Sequence, residues 1–184
     1  MENYRLFIDL PVDPPLVRDL IKRFKRLDLD WKKIKTARPE QVHITLKFLG
    51  DTPLDSLDKI IAVLQNIKIE NKMINLELEQ AKIFNPASPR VLALGLKTDK
   101  NIQELYEKIE DSLWQADLAH QETRRFTPHL TLARVKQSSQ PKEFQNFLNW
   151  RLPALSISPT YFELQSSQLT STGPQYTVLQ TFEL

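Results

Sequence analysis

The sequence predicts an α+β fold with largely antiparallel sheets. Strand-like and helix-like stretches are mixed irregularly along the 184 residues, and many strand-like stretches are joined by short turns. These two observations favour antiparallel pairing over a doubly wound parallel sheet. No linker or low-complexity tract divides the chain, so we expect a single domain over residues 1–184.

The N-terminal half shows two amphipathic helices between strands. Apolar residues predict a strand over 4–10. Asp13 and the two prolines that follow it open a helix whose apolar stripe runs through Leu16, Leu20, Phe24 and Leu27. Similar patterns predict a strand over 43–49 that ends at Gly50, a helix over 54–67 and a strand over 74–84.

The C-terminal half contains two more helices among short strands. Ile102, Leu105, Ile109 and Leu113 lie at helical spacing and predict a helix over 101–118. The other predicted elements are strands over 91–96 and 129–135, a short helix over 142–150, and strands over 155–158, 161–169 and 176–182. Each half also has a strand that follows a basic, proline-bearing segment and precedes a helix, which is a faint internal repeat.

Composition excludes several classes of function. Cysteine is absent, which excludes disulfides, thiolate zinc sites, iron–sulfur clusters and a cysteine nucleophile. The three glycines, Gly50, Gly95 and Gly173, lie too far apart for a Walker-type loop or a dinucleotide-binding turn. The apolar run over 6–8 is too brief for a signal peptide, and no apolar stretch approaches the length of a membrane span. We therefore expect a cytoplasmic protein with no membrane partner.

Basic charge is concentrated near the N-terminus. The net charge is +2, but the segment 18–38 has nine basic and three acidic residues, so it carries +6 and the rest of the chain −4. This asymmetry suits a polyanionic substrate. The simpler interpretation is the solvated face of an amphipathic helix.

Two predicted strands carry the same short motif, His-Ile-Thr-Leu at 43–46 and His-Leu-Thr-Leu at 129–132. Because side chains alternate across a strand, the His and Thr of each motif share one face, roughly 6.5 Å apart, and the apolar residues face the core. Two histidines that face one cavity can act as general acid and general base in the same turnover. Each threonine hydroxyl can bind a phosphate oxygen, so the pattern favours metal-independent phosphodiester chemistry.

These motifs resemble those of the two-histidine phosphoesterase superfamily. Over nearly the whole chain, the sequence looks like its bacterial and archaeal RNA 2',3'-cyclic phosphodiesterases, once called 2'-5' RNA ligases. The matching segments are Arg5-Leu6-Phe7-Ile8, His43-Ile44-Thr45-Leu46-Lys47-Phe48-Leu49-Gly50, Pro89-Arg90-Val91-Leu92, Phe126-Thr127-Pro128-His129-Leu130-Thr131-Leu132-Ala133-Arg134, and Ser167 with Leu169, Gly173 and Tyr176.

The resemblance implies a bilobal fold, in which two pseudo-twofold-related antiparallel sheets flanked by helices face each other across a central catalytic cleft. It implies hydrolysis of an RNA 2',3'-cyclic phosphate to a 2'-phosphomonoester. His43 would be the proton donor to the departing O3', and His129 the acceptor that activates water. Thr45 and Thr131 would bind the phosphate. We expect a monomer that needs no cofactor and acts on RNA ends, tRNA fragments among them, with 2'-5' joining of RNA in vitro.

Several other residues are candidate substrate contacts. In a regular strand Lys47 shares the face of the first motif's histidine, so it is expected to contact RNA, whereas Phe48 is assigned to the core. Arg134 falls on the opposite face of its strand and is retained for the resemblance and because guanidinium binds phosphate well. Trp31 is expected in a loop as a base-stacking platform, and Tyr176 is compatible with either contact or packing.

Three alternatives compete with this interpretation. A metal site needs a third protein ligand, and neither motif has an Asp or Glu on its His–Thr face. A non-catalytic module that binds single-stranded RNA predicts aromatic pairs on the central strands, where this sequence has His and Thr. The same chemistry on a small cyclic nucleotide or an ADP-ribose cyclic phosphate stays open.

Overall fold

The computed structural model describes residues 3–137, 139–171 and 173–184, and it confirms the predicted α+β fold. Within these residues the strands are β1 (Asn3–Pro11), β2 (Ile34–Thr36), β3 (His43–Pro53), β4 (Leu76–Phe84), β5 (Val91–Lys97), β6 (His129–Val135), β7 (Ser156–Ile157), β8 (Tyr161–Thr170) and β9 (Gly173–Glu183). The α-helices are α1 (Pro14–Phe24), α2 (Leu57–Gln65), α3 (Lys100–Gln115) and α4 (Gln145–Leu148).

The strands form two antiparallel sheets, and each sheet contains one of the two motif strands. The first sheet has the order β3-β1-β8-β9, and the second has the order β2-β6-β5-β4-β7. All strand pairs in both sheets are antiparallel, as expected. The motif strands β3 and β6 contact each other where the two sheets meet. This arrangement brings two histidines that are 86 positions apart in the sequence to one place in the fold.

Apolar side chains from both sheets and from the helices pack into one continuous core. The apolar positions of the motifs belong to it: Ile44 and Leu130 are fully buried, as the strand alternation predicts. Burial of such side chains contributes about 1.5 to 3 kcal/mol each. The core therefore fixes one face of each motif strand, and the opposite face carries the polar groups.

Among the described residues, no helix is long and apolar enough to cross a membrane.

The structure corrects the expected ends of several elements. Strand β3 does not end at Gly50 but continues to Pro53, because Gly50, with φ of 73°, lies at a bulge in the pairing with β1. The short strand β2 was not predicted, since three residues show no periodicity; its pairing with β6 defines it. The predicted helices over 54–67 and 142–150 both begin with a 3-10 turn.

Candidate active site

The two histidine–threonine pairs face one cavity between the sheets. His43 and Thr45 on β3 and His129 and Thr131 on β6 all line it. Its volume is about 480 Å³, which is within the usual range for small-molecule sites. The structure therefore brings together the four residues that the motifs singled out.

Both imidazole rings are held in the same orientation by a backbone carbonyl two residues earlier. His43 Nδ1 lies 2.9 Å from the carbonyl oxygen of Gln41, and His129 Nδ1 lies 2.8 Å from that of Thr127. A carbonyl oxygen only accepts, so Nδ1 carries a proton and donates in both rings. Each Nε2 is then left to accept a proton or, once protonated, to donate one. This geometry suits general acid–base chemistry.

Aromatic rings pack against each histidine and differ between the two sides. The His43 ring stacks on Phe7, with ring centroids 4.9 Å apart, and meets the edge of Tyr176 at 5.4 Å. The His129 ring lies 4.4 Å from the Phe84 ring. These contacts restrict both rings and exclude water from one side of each.

Burial makes both histidines weaker bases than free imidazole. It lowers the pKa of His43 to about 4, and the nearby His129 and Arg134 act in the same direction. Burial also lowers the pKa of His129, and so does the neighbouring Lys82. In both cases the cause is the cost of placing a charge away from water. A neutral ring is the form that a general base requires.

The two motif strands carry the same irregularity. In the β1–β3 pair, Asp9 lies opposite Thr45 and Ile8 lies opposite Lys47, so Leu46 is an extra residue. In the β5–β6 pair, Leu132 is the extra residue at the same place in the second motif. A bulge of this kind reverses the alternation of side chains beyond it. The fifth residue after each histidine therefore returns to the histidine's face.

This bulge overturns the side-chain faces expected for a regular strand. Arg134 lies on the same face as His129 and lines the cavity, although a regular strand would have placed it opposite. Phe48, expected in the core, is 73% exposed and also lines the cavity. Lys47, expected beside the first motif's histidine, is turned to the other side of β3 and buried. Both predictions for β3 were wrong for the same reason.

The cavity is strongly cationic. Arg5, Lys35, Arg38 and Arg134 line it, and none of the described residues on its wall is acidic. Lys35 and Arg38 come from the basic segment 18–38. The same segment also forms ion pairs at the surface, as the simpler interpretation predicts: Arg18 pairs with Glu40, Arg23 with Asp19, and Lys33 with Glu143. A cavity with this charge attracts a phosphate-bearing ligand.

Comparison with protein families agrees with this geometry. The model of the 2'-5' RNA ligase superfamily matches residues 12–165. The chain belongs to the 2'-5' RNA ligase superfamily.

Relatives in this superfamily match the chain over nearly its full length. The protein from Methanocaldococcus jannaschii is 27% identical over 96% of this chain and 98% of its own length, and the one from Archaeoglobus fulgidus is 29% identical over 97% and 99%. A Thermotoga maritima relative is 29% identical over 95% and 92%. All three are named RNA 2',3'-cyclic phosphodiesterase, which is a hydrolase.

Solved structures share the superfamily fold. A protein from Thermus thermophilus superimposes with a TM-score of 0.79 at 25% identity, covering 98% of this chain and 97% of that chain. LigT from E. coli, in its complex with 3'-AMP, superimposes with a TM-score of 0.78 at 21% identity, covering 100% and 99%. The two-sheet architecture is therefore that of LigT.

The structure brings some of the remaining candidate residues to the cavity and leaves others away from it. Tyr176 lines the cavity beside His43. Trp31 lies in a 3-10 helix instead of a loop, packs edge-on against Phe24 at 5.1 Å, and is not part of the cavity wall. Its role as a stacking platform is therefore not proposed again.

Lys47 has a structural role, because its ammonium group forms a buried ion pair. Its Nζ lies 2.7 Å from Glu110 Oε2 on α3 and donates to the carbonyl oxygen of His120 at 2.8 Å. The ion pair ties β3 to α3 and to the loop before β6. The side-chain face predicted for Lys47 is therefore wrong, and its contact with RNA is not proposed again, because the ammonium group is bound to Glu110 and His120 away from the cavity.

Two features of the site were missed in the sequence. One is Phe48, whose exposure depends on the bulge. The other is Asp9, an acidic residue inside the apolar strand β1 that lies, fully buried, beside His43. A charged residue in an apolar strand is a signal that the sequence does contain.

Within the described ranges, no three His, Cys, Asp or Glu side chains lie close enough together to hold a metal ion.

Proposed function

We propose that this protein is an RNA 2',3'-cyclic phosphodiesterase that hydrolyses a terminal 2',3'-cyclic phosphate to a 2'-phosphomonoester. One observation carries the proposal. Two imidazoles, each with Nδ1 engaged by a carbonyl and a threonine beside it, face each other in a cationic cavity. This arrangement supplies an acid, a base and donors for a phosphate without a further group.

The reaction is an in-line displacement at phosphorus. His129 Nε2 takes a proton from water as its oxygen attacks the phosphorus atom. The bond from phosphorus to O3' breaks, and His43 Nε2 gives its proton to O3'. The product keeps the phosphate on O2' and has a free 3'-hydroxyl. His129 ends protonated and His43 neutral, so exchange of one proton with solvent restores the starting state.

The phosphate is bound by hydroxyl and guanidinium donors. Thr45 and Thr131 each lie two residues after a histidine, so their hydroxyls can donate to the non-bridging oxygens. Arg134 adds a charged donor in the same cavity. These groups stabilise the negative charge that spreads over the phosphate oxygens in the transition state.

Other side chains of the cavity suit an RNA strand. Phe48 and Tyr176 offer aromatic surface for a nucleobase, and Arg5 and Arg38 offer charge for further phosphates. These cations exceed what one cyclic phosphate needs, which favours an RNA end over a small cyclic nucleotide. If the 5'-hydroxyl of a second RNA replaces water, the same displacement forms a 2'-5' linkage, so the site is also proposed to join RNA ends, such as tRNA halves, in vitro.

The test uses an RNA oligonucleotide with a 2',3'-cyclic phosphate end in EDTA-treated buffer. We expect turnover by the wild-type protein, and a loss of at least about 100-fold in His43→Ala and in His129→Ala. His120→Ala is the matched control, because His120 is the third histidine and does not line the cavity. Circular dichroism checks that each variant is folded.

Three results would contradict parts of this proposal. Activity restored only by added metal ions would contradict the metal-independent mechanism. RNA binding without turnover in all proteins would favour the non-catalytic RNA-binding module. Faster turnover of a 2',3'-cyclic mononucleotide than of RNA would favour the small substrate.

The pH profile of the reaction is expected to be bell-shaped, because one histidine must be protonated while the other is neutral.

A further inference from the structure

A buried carboxyl group lies behind His43. Asp9 is 0% exposed, and its Oδ2 is 3.6 Å from His43 Nδ1. Gln165 Nε2 donates to both oxygens of Asp9, at 3.2 and 2.9 Å, and to Glu163 Oε2 at 3.0 Å. These residues come from three neighbouring strands, so the cluster is built into the first sheet. A buried acid normally requires such partners.

His129 has no matching carboxyl group among the described residues. Its neighbours are the Phe84 ring and the cation Lys82, which lies 3.8 Å from Glu79. The two motifs have the same sequence pattern and the same bulge, yet a carboxyl group lies beside His43 and a cation lies near His129. The environment therefore distinguishes two rings that the motifs alone do not.

The proposed reaction needs a proton on His43, and burial makes this proton energetically unfavourable. Burial lowers the pKa of His43 to about 4, so the buried ring without an anionic partner would be neutral at pH 7. Burial raises the pKa of Asp9 to about 8, so this carboxyl group binds a proton at pH 7. Taken together, Asp9 and His43 hold one proton between these two pH values. Groups this close titrate as a pair.

We propose that Asp9 is a positioning residue that allows His43 to carry this proton, because its carboxylate then lies 3.6 Å from the imidazolium. The proposal rests on the proposed function, since it concerns the acid of that reaction. When the proton moves from Asp9 to His43, the carboxyl group becomes a carboxylate and the ring an imidazolium. The net charge of the pair does not change, and the two Gln165 hydrogen bonds stabilise the carboxylate.

The proton exchanges through solvent and not along a direct hydrogen bond, because the Gln41 carbonyl already binds the Nδ1 proton. A second cavity of about 930 Å³ provides the access. It is lined by Glu163, Gln165 and His43 together with Tyr176. Solvent in this cavity can therefore reach His43 and Gln165, the hydrogen-bond partner of Asp9.

Other charged and titratable groups face the pair from each element packed against it. On β8, Glu163 raises the pKa of Asp9, whereas the Gln165 hydrogen bonds lower it. On β6, His129 and Arg134 disfavour the imidazolium. On β9, Tyr176 faces Asp9 and stays neutral, since burial raises its pKa. Among the described residues, Asp9 is the acidic side chain within ion-pair distance of His43.

The test is an NMR titration of the three histidine rings in the apo protein, which does not depend on activity. In the wild type we expect the His43 signal to titrate in two steps, with the upper step near the pKa of the pair. In Asp9→Asn the upper step should disappear, leaving one step about 1 to 3 pH units lower. The His120 and His129 signals should change little.

Two variants keep the test decisive. Glu163→Gln is the matched control, because it removes the other buried acid that binds Gln165; the upper step of His43 should persist and move only slightly to lower pH, since Glu163 raises the pKa of Asp9. Gln165→Met removes the donors to the carboxylate, so it should shift the shared proton toward Asp9 and reduce the upper step. A single low-pH step for His43 in the wild type, or an upper step that survives in Asp9→Asn, would overturn the proposal.

Activity provides a second, separable readout. The alkaline limb of the kcat/KM profile should move to lower pH in Asp9→Asn and move much less in Glu163→Gln. A uniform loss of activity with an unmoved limb would show a merely structural role and contradict the proposal. If the wild type does not hydrolyse the RNA, the proposed function fails, and the NMR titration still decides whether Asp9 controls the proton on His43.

Discussion

Phe48 and Arg134 occupy equivalent positions in the two sheets. Each lies five residues after a motif histidine, and each reaches the cavity because its strand carries one extra residue after the threonine. The two halves of the cavity therefore share a backbone design but differ chemically. One half presents an aromatic ring, and the other presents a guanidinium group.

Arg134 is predicted to act mainly on the chemical step. Arg134→Ala should lower kcat about 100- to 1000-fold, because it removes a charged donor to the phosphate in the transition state. Arg134→Lys should recover part of the loss, since it restores the charge without the paired donors. Steady-state kinetics on the cyclic-phosphate RNA would measure both. Arg124→Ala, which removes an exposed arginine paired with Glu122, is the control, and an equal loss there would contradict the assignment.

Phe48 is predicted to act on substrate binding. Stacking of a base on an aromatic ring contributes about 1 to 3 kcal/mol, so Phe48→Ala should raise KM about tenfold and change kcat little. Phe48→Tyr should retain most of the affinity. The exposed Met73, away from the cavity, provides a control as Met73→Ala. A KM unchanged in Phe48→Ala would show that the ring does not meet the base.

Lys47 is predicted to act on stability and not on substrate. Lys47→Met leaves Glu110 buried without its partner, which should lower the free energy of unfolding by about 3 to 5 kcal/mol. Adding Glu110→Leu should restore most of it, since the uncompensated charge is gone. Urea denaturation would measure both variants. Full stability of Lys47→Met together with a raised KM for RNA would contradict this structural role.

Asp9 is predicted to make stability depend on pH. Burial raises its pKa in the folded protein from the ordinary value of 3.8 to about 8. Between these values the folded protein retains a proton that the unfolded chain has lost, so this group lowers stability as pH rises through that range. Relative to the wild type, Asp9→Asn should therefore gain stability from about pH 4 to about pH 8. Urea denaturation at several pH values would measure the difference in the free energy of unfolding between Asp9→Asn and the wild type, with the exposed Asp19→Asn as control. A difference that does not change with pH would contradict the prediction.

The alternation of polar and apolar residues was sufficient to predict the motif strands up to their threonines. Ile44 and Leu130 face the core, and the two histidines face the cavity, because both segments are regular there. Beyond the threonines the alternation fails. The bulges arise in the pairing with β1 and β5, which are distant in sequence, so Lys47, Phe48 and Arg134 could not be placed from their own strands.

The environment of the histidines also depends on distant parts of the chain. Asp9 meets Gln165 across 156 positions, and Tyr176, whose ring meets His43 edge-on, comes from the last strand. Neither contact produces a local pattern. The motifs thus identify the reacting groups, whereas the fold determines which charges surround them.

The most direct test of the proposed hydrolysis is to identify the product formed in water enriched in oxygen-18. The wild-type protein, treated with EDTA, is mixed with RNA that ends in a 2',3'-cyclic phosphate, and the product is analysed by phosphorus NMR and mass spectrometry. We expect a 2'-phosphomonoester with one oxygen-18 atom on phosphorus. A 3'-phosphate product, or no turnover by the folded protein, would contradict it.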